Sequence, residues 1–240
     1  MIEIQNVTKT FNNDVVAVNN LSLTVNNGEI VGFVGPNGAG KTTTLKMMTG
    51  ILKPDQGSVY INGTDIQKKP LAAKQDIGYI ADSPDMFLRL KGIEFLNLIS
   101  DIYKIPTAVR RERIETFAKR FELTDVLGEK MQGYSHGMRQ KMMVTAALVH
   151  NPSVWILDEP LIGLDPKSAH NLKQMMREHA NAGNSVLFST HVLEVAEKLC
   201  DKIIIINHGV AIFYGTLEEL TTQYPDKDFE EIFLEMTKDA

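Results

Sequence analysis

The residues Gly35-Pro36-Asn37-Gly38-Ala39-Gly40-Lys41-Thr42 are the most informative stretch of this 240-residue chain. They fit the pattern G-x-x-x-x-G-K-[ST], in which backbone N–H groups and a lysine surround phosphate oxygens. An apolar, β-branched run at 30–34 precedes them, and residues 42–49 have the pattern of a helix ended by Gly50. A strand, a glycine-rich loop and a helix in this order predict a phosphate-binding loop.

The chemistry of this loop suits ATP, because a triphosphate is a dense anion that needs many donors close by. Gly38 and Gly40 let the backbone approach and take up turn conformations that other residues resist. Lys41 adds a positive charge near the β- and γ-phosphates, and the Thr42 hydroxyl can bind Mg²⁺, which prefers oxygen. We therefore predict ATP and Mg²⁺ as ligands, with ATP bound by Gly35, Pro36, Asn37, Gly38, Ala39, Gly40, Lys41, Thr42 and Thr43.

A second acidic motif, Asp158-Glu159, ends the apolar run at 154–157. In proteins with such a loop, an acid in this position holds Mg²⁺, usually through water. A second acid beside it can orient and polarise the attacking water. The alternative is an exposed acidic pair at the end of a strand. Next to the loop at 35–42, the pair predicts that the chain hydrolyses ATP, with Asp158 at the metal and Glu159 and Lys41 as catalytic residues.

Composition narrows the classes of protein to which the chain could belong. It is 43% hydrophobic and 23% charged with a net charge of −5, which argues against a nucleic-acid partner. Its single cysteine, Cys200, is read as a core residue rather than a reactive thiol. The N-terminus lacks a secretory pattern, and the longest aliphatic run, 203–206, is far shorter than the roughly 20 residues of a spanning helix. We expect a cytoplasmic protein.

The pattern along the chain predicts an α/β fold with a P-loop NTPase core, mainly a parallel sheet flanked by helices. Short strands at 2–7 and 21–25 indicate an N-terminal antiparallel β region, and an almost wholly helical stretch indicates an inserted helical lobe. We expect a single ATP-binding domain over 1–240. The ATPase core is assigned to 1–82 and 151–215, the helical lobe to 83–150, and an amphipathic C-terminal tail to 216–240.

Several further motifs, in a fixed order, resemble those of the ATP-binding subunits of ABC transporters. Tyr134-Ser135-His136-Gly137-Met138-Arg139-Gln140 resembles the family's signature, usually Leu-Ser-Gly-Gly-Gln, and stands shortly before Asp158-Glu159. Gly163-Leu164-Asp165 resembles the D-loop, and His191 resembles the switch histidine. The resemblance runs from about residue 2 to residue 216. The signature separates this family from other P-loop NTPases.

The resemblance implies a composite site in a head-to-tail dimer of two nucleotide-binding domains. ATP held by the loop of one subunit would face Ser135 and the Gly137 N–H group of the other. Glu159 would act as the general base, and His191 would contact the γ-phosphate and position the water. Phe11 matches the aromatic residue that stacks on adenine, although a lone phenylalanine is otherwise more often a core residue.

The sequence departs from the family pattern at two places near the site. Asp82 stands where the family has the Q-loop glutamine, and we expect it near Mg²⁺ although it is shorter and charged. Met138 replaces the final glutamine of the signature and is not predicted as a ligand. His136, inside the signature, is expected to be exposed rather than catalytic.

The resemblance also implies partners and a location. A chain without membrane spans would work with separate transmembrane permease subunits, whose coupling segments would contact the lobe. The second nucleotide-binding domain would be a copy of this chain or a different one. The motifs look most like bacterial drug and bacteriocin exporter cassettes, with import less favoured, at the inner face of the cell membrane. A soluble ATPase acting on ribosomes or DNA, or a regulator without turnover, is the alternative.

Overall fold

The computed structural model describes residues 1–12, 14–83, 85 and 87–238. Within these residues the chain forms two β-sheets and nine α-helices. The strands are β1 (Ile2–Phe11), β2 (Val15–Val25), β3 (Ile30–Val34), β4 (Gln56–Ile61), β5 (Thr64–Asp65), β6 (Ile77–Ile80), β7 (Val154–Leu157), β8 (Ser185–Thr190), β9 (Lys202–Asn207) and β10 (Val210–Gly215). The helices are α1 (Lys41–Met48), α2 (Pro70–Gln75), α3 (Gly92–Ile102), α4 (Thr107–Arg120), α5 (His136–Leu148), α6 (Pro166–Asn181), α7 (Leu193–Leu199), α8 (Leu217–Gln223) and α9 (Phe229–Thr237).

The larger sheet has six strands in the order β10-β9-β3-β8-β7-β6. The five strands from β9 to β6 run parallel, and β10 closes one edge as an antiparallel strand. Every residue of β3, β7 and β8 is buried, as expected for strands covered on both faces. The predicted P-loop core, a mainly parallel sheet flanked by helices, is confirmed.

The smaller sheet is antiparallel, with the order β2-β1-β4-β5, and it forms the predicted N-terminal β region. Its first two strands are longer than the sequence patterns at 2–7 and 21–25 indicated. The sequence pattern starts the second strand at Leu21. In the structure this strand begins at Val15 and includes the polar residues before Leu21. Asn20 takes a left-handed backbone with a φ of 50°, and the β1–β2 register shifts at three points. These irregularities hide the alternation that marks a strand.

Among the described residues, three hydrophobic clusters hold the fold together. One lies between the helices α3 to α6 and one face of the six-stranded sheet, and it contains the fully buried Trp155. A second lies between the two sheets and α1. The predicted helical stretch therefore shares a core with the sheet, and α5 leads from it to β7.

The cysteine packs as a core residue. A Cβ atom built at Gly32, in the middle of β3, would lie 2.6 Å from the Cys200 Sγ atom, so the sulfur fills the space that this glycine leaves. Burial raises the pKa of the Cys200 thiol. In the part of the chain that the structure describes, no helix has the length and apolar character needed to cross a membrane.

The C-terminal tail forms α8 and α9, which pack against α7 and β9 in a third cluster. Each of these helices begins with a capping box, formed by Thr216 with Glu219 and by Asp228 with Glu231. Such boxes satisfy backbone N–H groups that would otherwise lack partners. The apolar residues that the caps orient, above all Phe229 and Ile232, are buried.

The docking of α9 can be tested with two aliphatic residues of that helix. Ile232 is fully buried, whereas Leu234 is 48% exposed. Replacing Ile232 with alanine should cost about 2–5 kcal/mol of unfolding free energy, because buried methyl groups are lost and a cavity is left. Leu234→Ala should cost about 0.5 kcal/mol or less. Urea unfolding, monitored by circular dichroism, measures the loss of unfolding free energy in each variant. Equal losses in the two variants would contradict the burial of Ile232.

Candidate functional site

The glycine-rich loop lies between β3 and α1, and its glycines are required by close contacts. A Cβ atom at Gly35 would lie 2.4 Å from the Ile206 carbonyl oxygen, and one at Gly40 would lie 2.4 Å from that of Ala17. Gly38 and Gly40 have φ values of 81° and 104°, in the left-handed region that favours glycine. The loop is therefore fixed in a shape that few other sequences could adopt.

Lys41 points back into this loop from the first residue of α1. Its Nζ atom donates to the Gly35 carbonyl at 2.6 Å and to the Pro36 carbonyl at 3.1 Å. Burial lowers the pKa of Lys41, and the nearby charges of Glu159 and Asp158 oppose that effect. A buried ammonium group held by carbonyls beside two carboxylates is a suitable partner for a phosphate anion.

A cavity of about 420 Å³ opens at the loop, next to α1. Predicted residues from three separate parts of the sequence line it, namely residues of the loop and of the start of α1, Asp82, and Glu159. Its lining residues are Ala17, Asn37, Gly38, Gly40, Lys41, Thr42, Thr43, Asp82, Glu159 and Ile162. Parallel strands bring these residues together, because β3, β7 and β6 end at the same edge of the sheet.

Asp158 is fully buried at the end of β7. Its Oδ1 atom accepts a hydrogen bond from the Ser189 hydroxyl at 2.6 Å, and its Oδ2 atom has no hydrogen-bond partner among the described residues. Burial raises the pKa of this carboxyl, while the hydrogen bond from Ser189 works in the opposite direction. The Thr42 side chain also acts to lower this pKa, and the unpaired carboxylate oxygen is of the kind of ligand that Mg²⁺ prefers.

Glu159 follows with a left-handed backbone, with a φ of 47°, and its N–H donates to the Ser189 hydroxyl at 2.9 Å. Its Oε1 atom lies 3.0 Å from His191 Nδ1. His191 lies before α7, which begins two residues later. Val192 is extended, with its N–H bonded to the Thr190 hydroxyl at 3.0 Å. This extended turn allows the imidazole to reach Glu159.

Ser135, Gly137 and Phe11 are predicted site residues that neither belong to the loop nor line the cavity in this chain. Ser135 is the exposed N-cap of α5, and its hydroxyl accepts from the Met138 N–H at 3.2 Å. Gly137 follows in the first turn of that helix. Phe11 ends β1, is 45% exposed, and has the Lys9 ammonium 5.7 Å from its ring centroid. The structure of one chain therefore brings together the loop, Asp82, Asp158, Glu159 and His191, and leaves these three apart.

Sequence reasoning missed Ser189, whose hydroxyl binds both Asp158 and Glu159. The only available signal was its place near the end of an apolar strand. The register of the parallel sheet, in which Leu157 lies beside Phe188, supplies the missing information because it sets Ser189 next to Asp158.

A second cavity, of about 360 Å³, lies beside β6 and is lined by residues of α1, α3 and α5 among others. We call it the lobe groove. Its lining is mostly apolar and includes Ile51, Phe87 and Phe95, with Ile51 being 59% exposed. Tyr103 stacks on His150 in this lining, with ring centroids 3.7 Å apart. Burial lowers the pKa of His150 to about 4, so its imidazole is neutral near pH 7.

Solved structures with the same architecture define the class. A structure described as the ATP-binding subunit of an ABC transporter superposes with a TM-score of 0.93, at 30% identity, over 98% of this chain and 99% of its own. The dimeric ATP-binding cassette MJ0796, in a post-hydrolysis state bound to ADP and Pi, gives a TM-score of 0.82 at 26% identity, over 90% and 99% of the two chains. The fold is that of an ATP-binding cassette.

Sequence comparisons give the family. A model described as "ABC transporter" matches residues 18–162. The ABC transporter ATP-binding protein NatA of Bacillus subtilis is 36% identical, over 92% of this chain and 90% of its own length. The lipopolysaccharide export system ATP-binding protein LptB of Haemophilus influenzae is 33% identical, over 98% and 97%. This chain belongs to the ABC transporter family as an ATP-binding subunit, and it is an ATPase.

The buried charge of Asp158 leads to a prediction about stability. Because burial raises its folded-state pKa, the ionised carboxyl destabilises the folded chain at pH 7, and this cost disappears as pH falls through that pKa. Asp158→Asn should therefore raise the melting temperature at pH 7 and should abolish ATP turnover. The stabilisation should shrink as the pH is lowered toward 4. Calorimetry without nucleotide measures it, and a lower melting temperature at pH 7 would show that the charge is well compensated.

Proposed function

We propose that this chain powers export through separate membrane subunits, by hydrolysing ATP held between two ATP-binding domains. The observation that carries the proposal is the meeting of Lys41, Asp158 and the Glu159–His191 pair at one edge of the sheet. The loop at 35–42 supplies donors for the triphosphate, and similarity to LptB, the ATP-binding protein of an export system, supports the proposed direction. The proposed location is cytoplasmic, at the inner face of the cell membrane.

Each residue has a proposed role in binding. Gly35, Pro36, Asn37, Gly38, Ala39, Gly40 and Thr43 would hold the phosphates through the loop and the start of α1. Lys41 would pair with the β- and γ-phosphates. Mg²⁺ would be held by Thr42 and Asp158, with Asp82 nearby, and when bound it neutralises charge on the phosphate oxygens. The unpaired Oδ2 atom of Asp158 and the position of Asp82 in the cavity support this set.

The proposed chemical step begins at Glu159. Its carboxylate accepts a proton from water as the water oxygen bonds to the γ-phosphorus, and the bond to the bridging oxygen breaks to release ADP. His191 lies 3.0 Å from Glu159 and can hold both that carboxylate and a γ-phosphate oxygen when its two nitrogens carry hydrogen. The pair would thus hold the water in line with the bond that breaks.

A second ATP-binding domain would complete the site. Ser135 and Gly137 lie at the exposed N-terminus of α5, outside the cavity of their own chain, where donors could face a phosphate held by another subunit. Phe11, exposed at the end of β1, would stack on the adenine ring. The partner is a second copy of this chain or another cassette, and the dimeric MJ0796 structure supports such an assembly.

The membrane subunits would bind at the lobe groove. Its exposed residue Ile51 and half-exposed Phe87 form an apolar rim, and such a surface on one subunit marks a contact site. A short apolar segment from a membrane subunit is the proposed occupant. Because the groove lies against β6, and β6 leads to Asp82, occupancy could influence the ATP site.

The Glu159 role is tested by Glu159→Gln, which keeps the shape and removes the base. Turnover should fall by about 100-fold or more, and a dimer should accumulate with ATP because hydrolysis no longer releases it. Phosphate release and light scattering measure the two effects. Glu197→Gln changes an exposed glutamate on α7 and should leave turnover within about twofold. Full activity in Glu159→Gln would refute the assignment, and a monomer at saturating ATP would refute the composite site.

The groove proposal is tested by Ile51→Asp, which places a charge on the apolar rim. Binding to purified membrane subunits in detergent should weaken by about tenfold or more, since a buried contact would receive an unpaired charge. ATP turnover of the isolated chain should not change. Val210→Asp, on the exposed face of β10, is the matched control and should bind normally. Equal binding of the two variants would remove the groove as the docking site.

A further inference from the structure

The segment 159–165, which connects β7 to α6, is held by side chains from outside it. It begins with the left-handed Glu159, a conformation that residues with a side chain seldom adopt, so its surroundings must maintain it. Ser189 holds one side of this residue through the bond to the Glu159 N–H.

Gln140 holds the other side. It lies in α5 and is 2% exposed, and its Nε2 atom donates to the Pro160 carbonyl oxygen at 3.2 Å. Pro160 directly follows Glu159 and has no N–H group, so its carbonyl is the only backbone hydrogen-bonding group of that residue. The buried amide therefore fixes the chain immediately after Glu159, as Ser189 fixes it immediately before.

Further contacts join the same face of α5 to this segment. The His136 ring lies against Gly163, where a Cβ atom would be 2.3 Å from His136 Cδ2, and Lys141 Nζ lies 3.0 Å from Asp165 Oδ2. Residues 136 and 140 are one helical turn apart, so they present one face. Of these three side chains, Gln140 is the buried one, and its partner Pro160 is the residue next to Glu159 in the sequence.

We propose that Gln140 is a positioning residue for Glu159, and that it ties the helix beginning at Ser135 to the catalytic backbone of the same chain. This inference rests on the proposed roles of Glu159 and Ser135. Ser135 would touch the ATP held by the other subunit, whereas Glu159 acts on the ATP of its own. Gln140 thus links the two ATP sites of a dimer, because a movement of α5 at one site is carried to the base of the other.

The first test replaces the amide by Gln140→Met, which keeps the length of the side chain and removes its donor. The turnover number should fall about tenfold, with KM for ATP changed by less than about twofold, because a misplaced base slows chemistry rather than binding. The Hill coefficient for ATP should fall toward one. The matched control is Asn171→Leu, which removes another amide bond to a carbonyl, from Asn171 Nδ2 to the Arg120 oxygen at 3.1 Å. It should keep turnover within about twofold.

A second variant, Gln140→Glu, guards against simple misfolding of the first. Its ionised carboxylate cannot donate to the Pro160 carbonyl, but its protonated form can. Relative to the unchanged chain, its turnover should be lowest near pH 8 and should recover as the pH falls toward 5.5. Circular dichroism at each pH separates this effect from unfolding, because a merely structural role would lower turnover only where the folded fraction falls.

The outcomes separate this inference from the proposed function. If Glu159→Gln is inactive while both Gln140 variants keep normal turnover, the positioning role is wrong and the function stands. If Gln140→Met loses turnover and ATP affinity in equal measure, or if Gln140→Glu shows no pH-dependent recovery, the positioning role is also wrong. If Glu159→Gln is fully active, the proposed catalytic function itself fails.

Discussion

The carboxyl group of Asp158 is fully buried, and burying its charge is the constraint on which the arrangement of the proposed ATP site depends. A buried carboxylate is costly unless hydrogen bonds or opposite charges surround it. Ser189 supplies one hydrogen bond, and the Lys41 ammonium lies close enough for its pKa to respond to the Asp158 charge. The second oxygen has no partner among the described residues. The proposed Mg²⁺ would offset this charge, so the carboxylate that costs folding free energy would also favour binding of a metal–phosphate complex.

The core of this site could be predicted from the sequence because its residues act through short, contiguous motifs. The glycine-rich loop, the acidic pair and the apolar strands before them each fall within eight residues, and local pattern reveals them. Gln140 and Ser189 could not be assigned roles this way. Their proposed roles depend on tertiary contacts that a helix and a strand make with a segment distant in sequence. The periodicity of the sequence does not predict such contacts. For the same reason, β2 was foreseen only from Leu21 onward, where its alternation becomes regular.

The lobe groove and the cavity at the glycine-rich loop come together just after β6, where Ala81 lines the groove and Asp82 lines the cavity. Tyr79 of that strand is coupled to both. Its ring lines the groove. Its buried hydroxyl has no hydrogen-bond partner among the described residues, and its pKa is raised first by burial and then by the charges of Asp158 and Asp82. A single side chain therefore lines the apolar groove and feels the charges of Asp158 and Asp82. Together with α5, which forms one wall of the groove, it makes β6 a physical connection between the proposed docking site and the proposed hydrolytic site.

The contact between Cys200 and Gly32 has a practical consequence for measuring motions in this protein. The chain has one cysteine, its sulfur is wedged against a strand backbone, and burial keeps it in the poorly nucleophilic thiol form. Thiol-directed probes should react with it slowly. A spin label or fluorophore attached to a cysteine introduced on α5, or on the rim of the groove, would then report from that position with little background. Distances between such labels in a dimer could be followed through the ATP cycle without first removing the native residue.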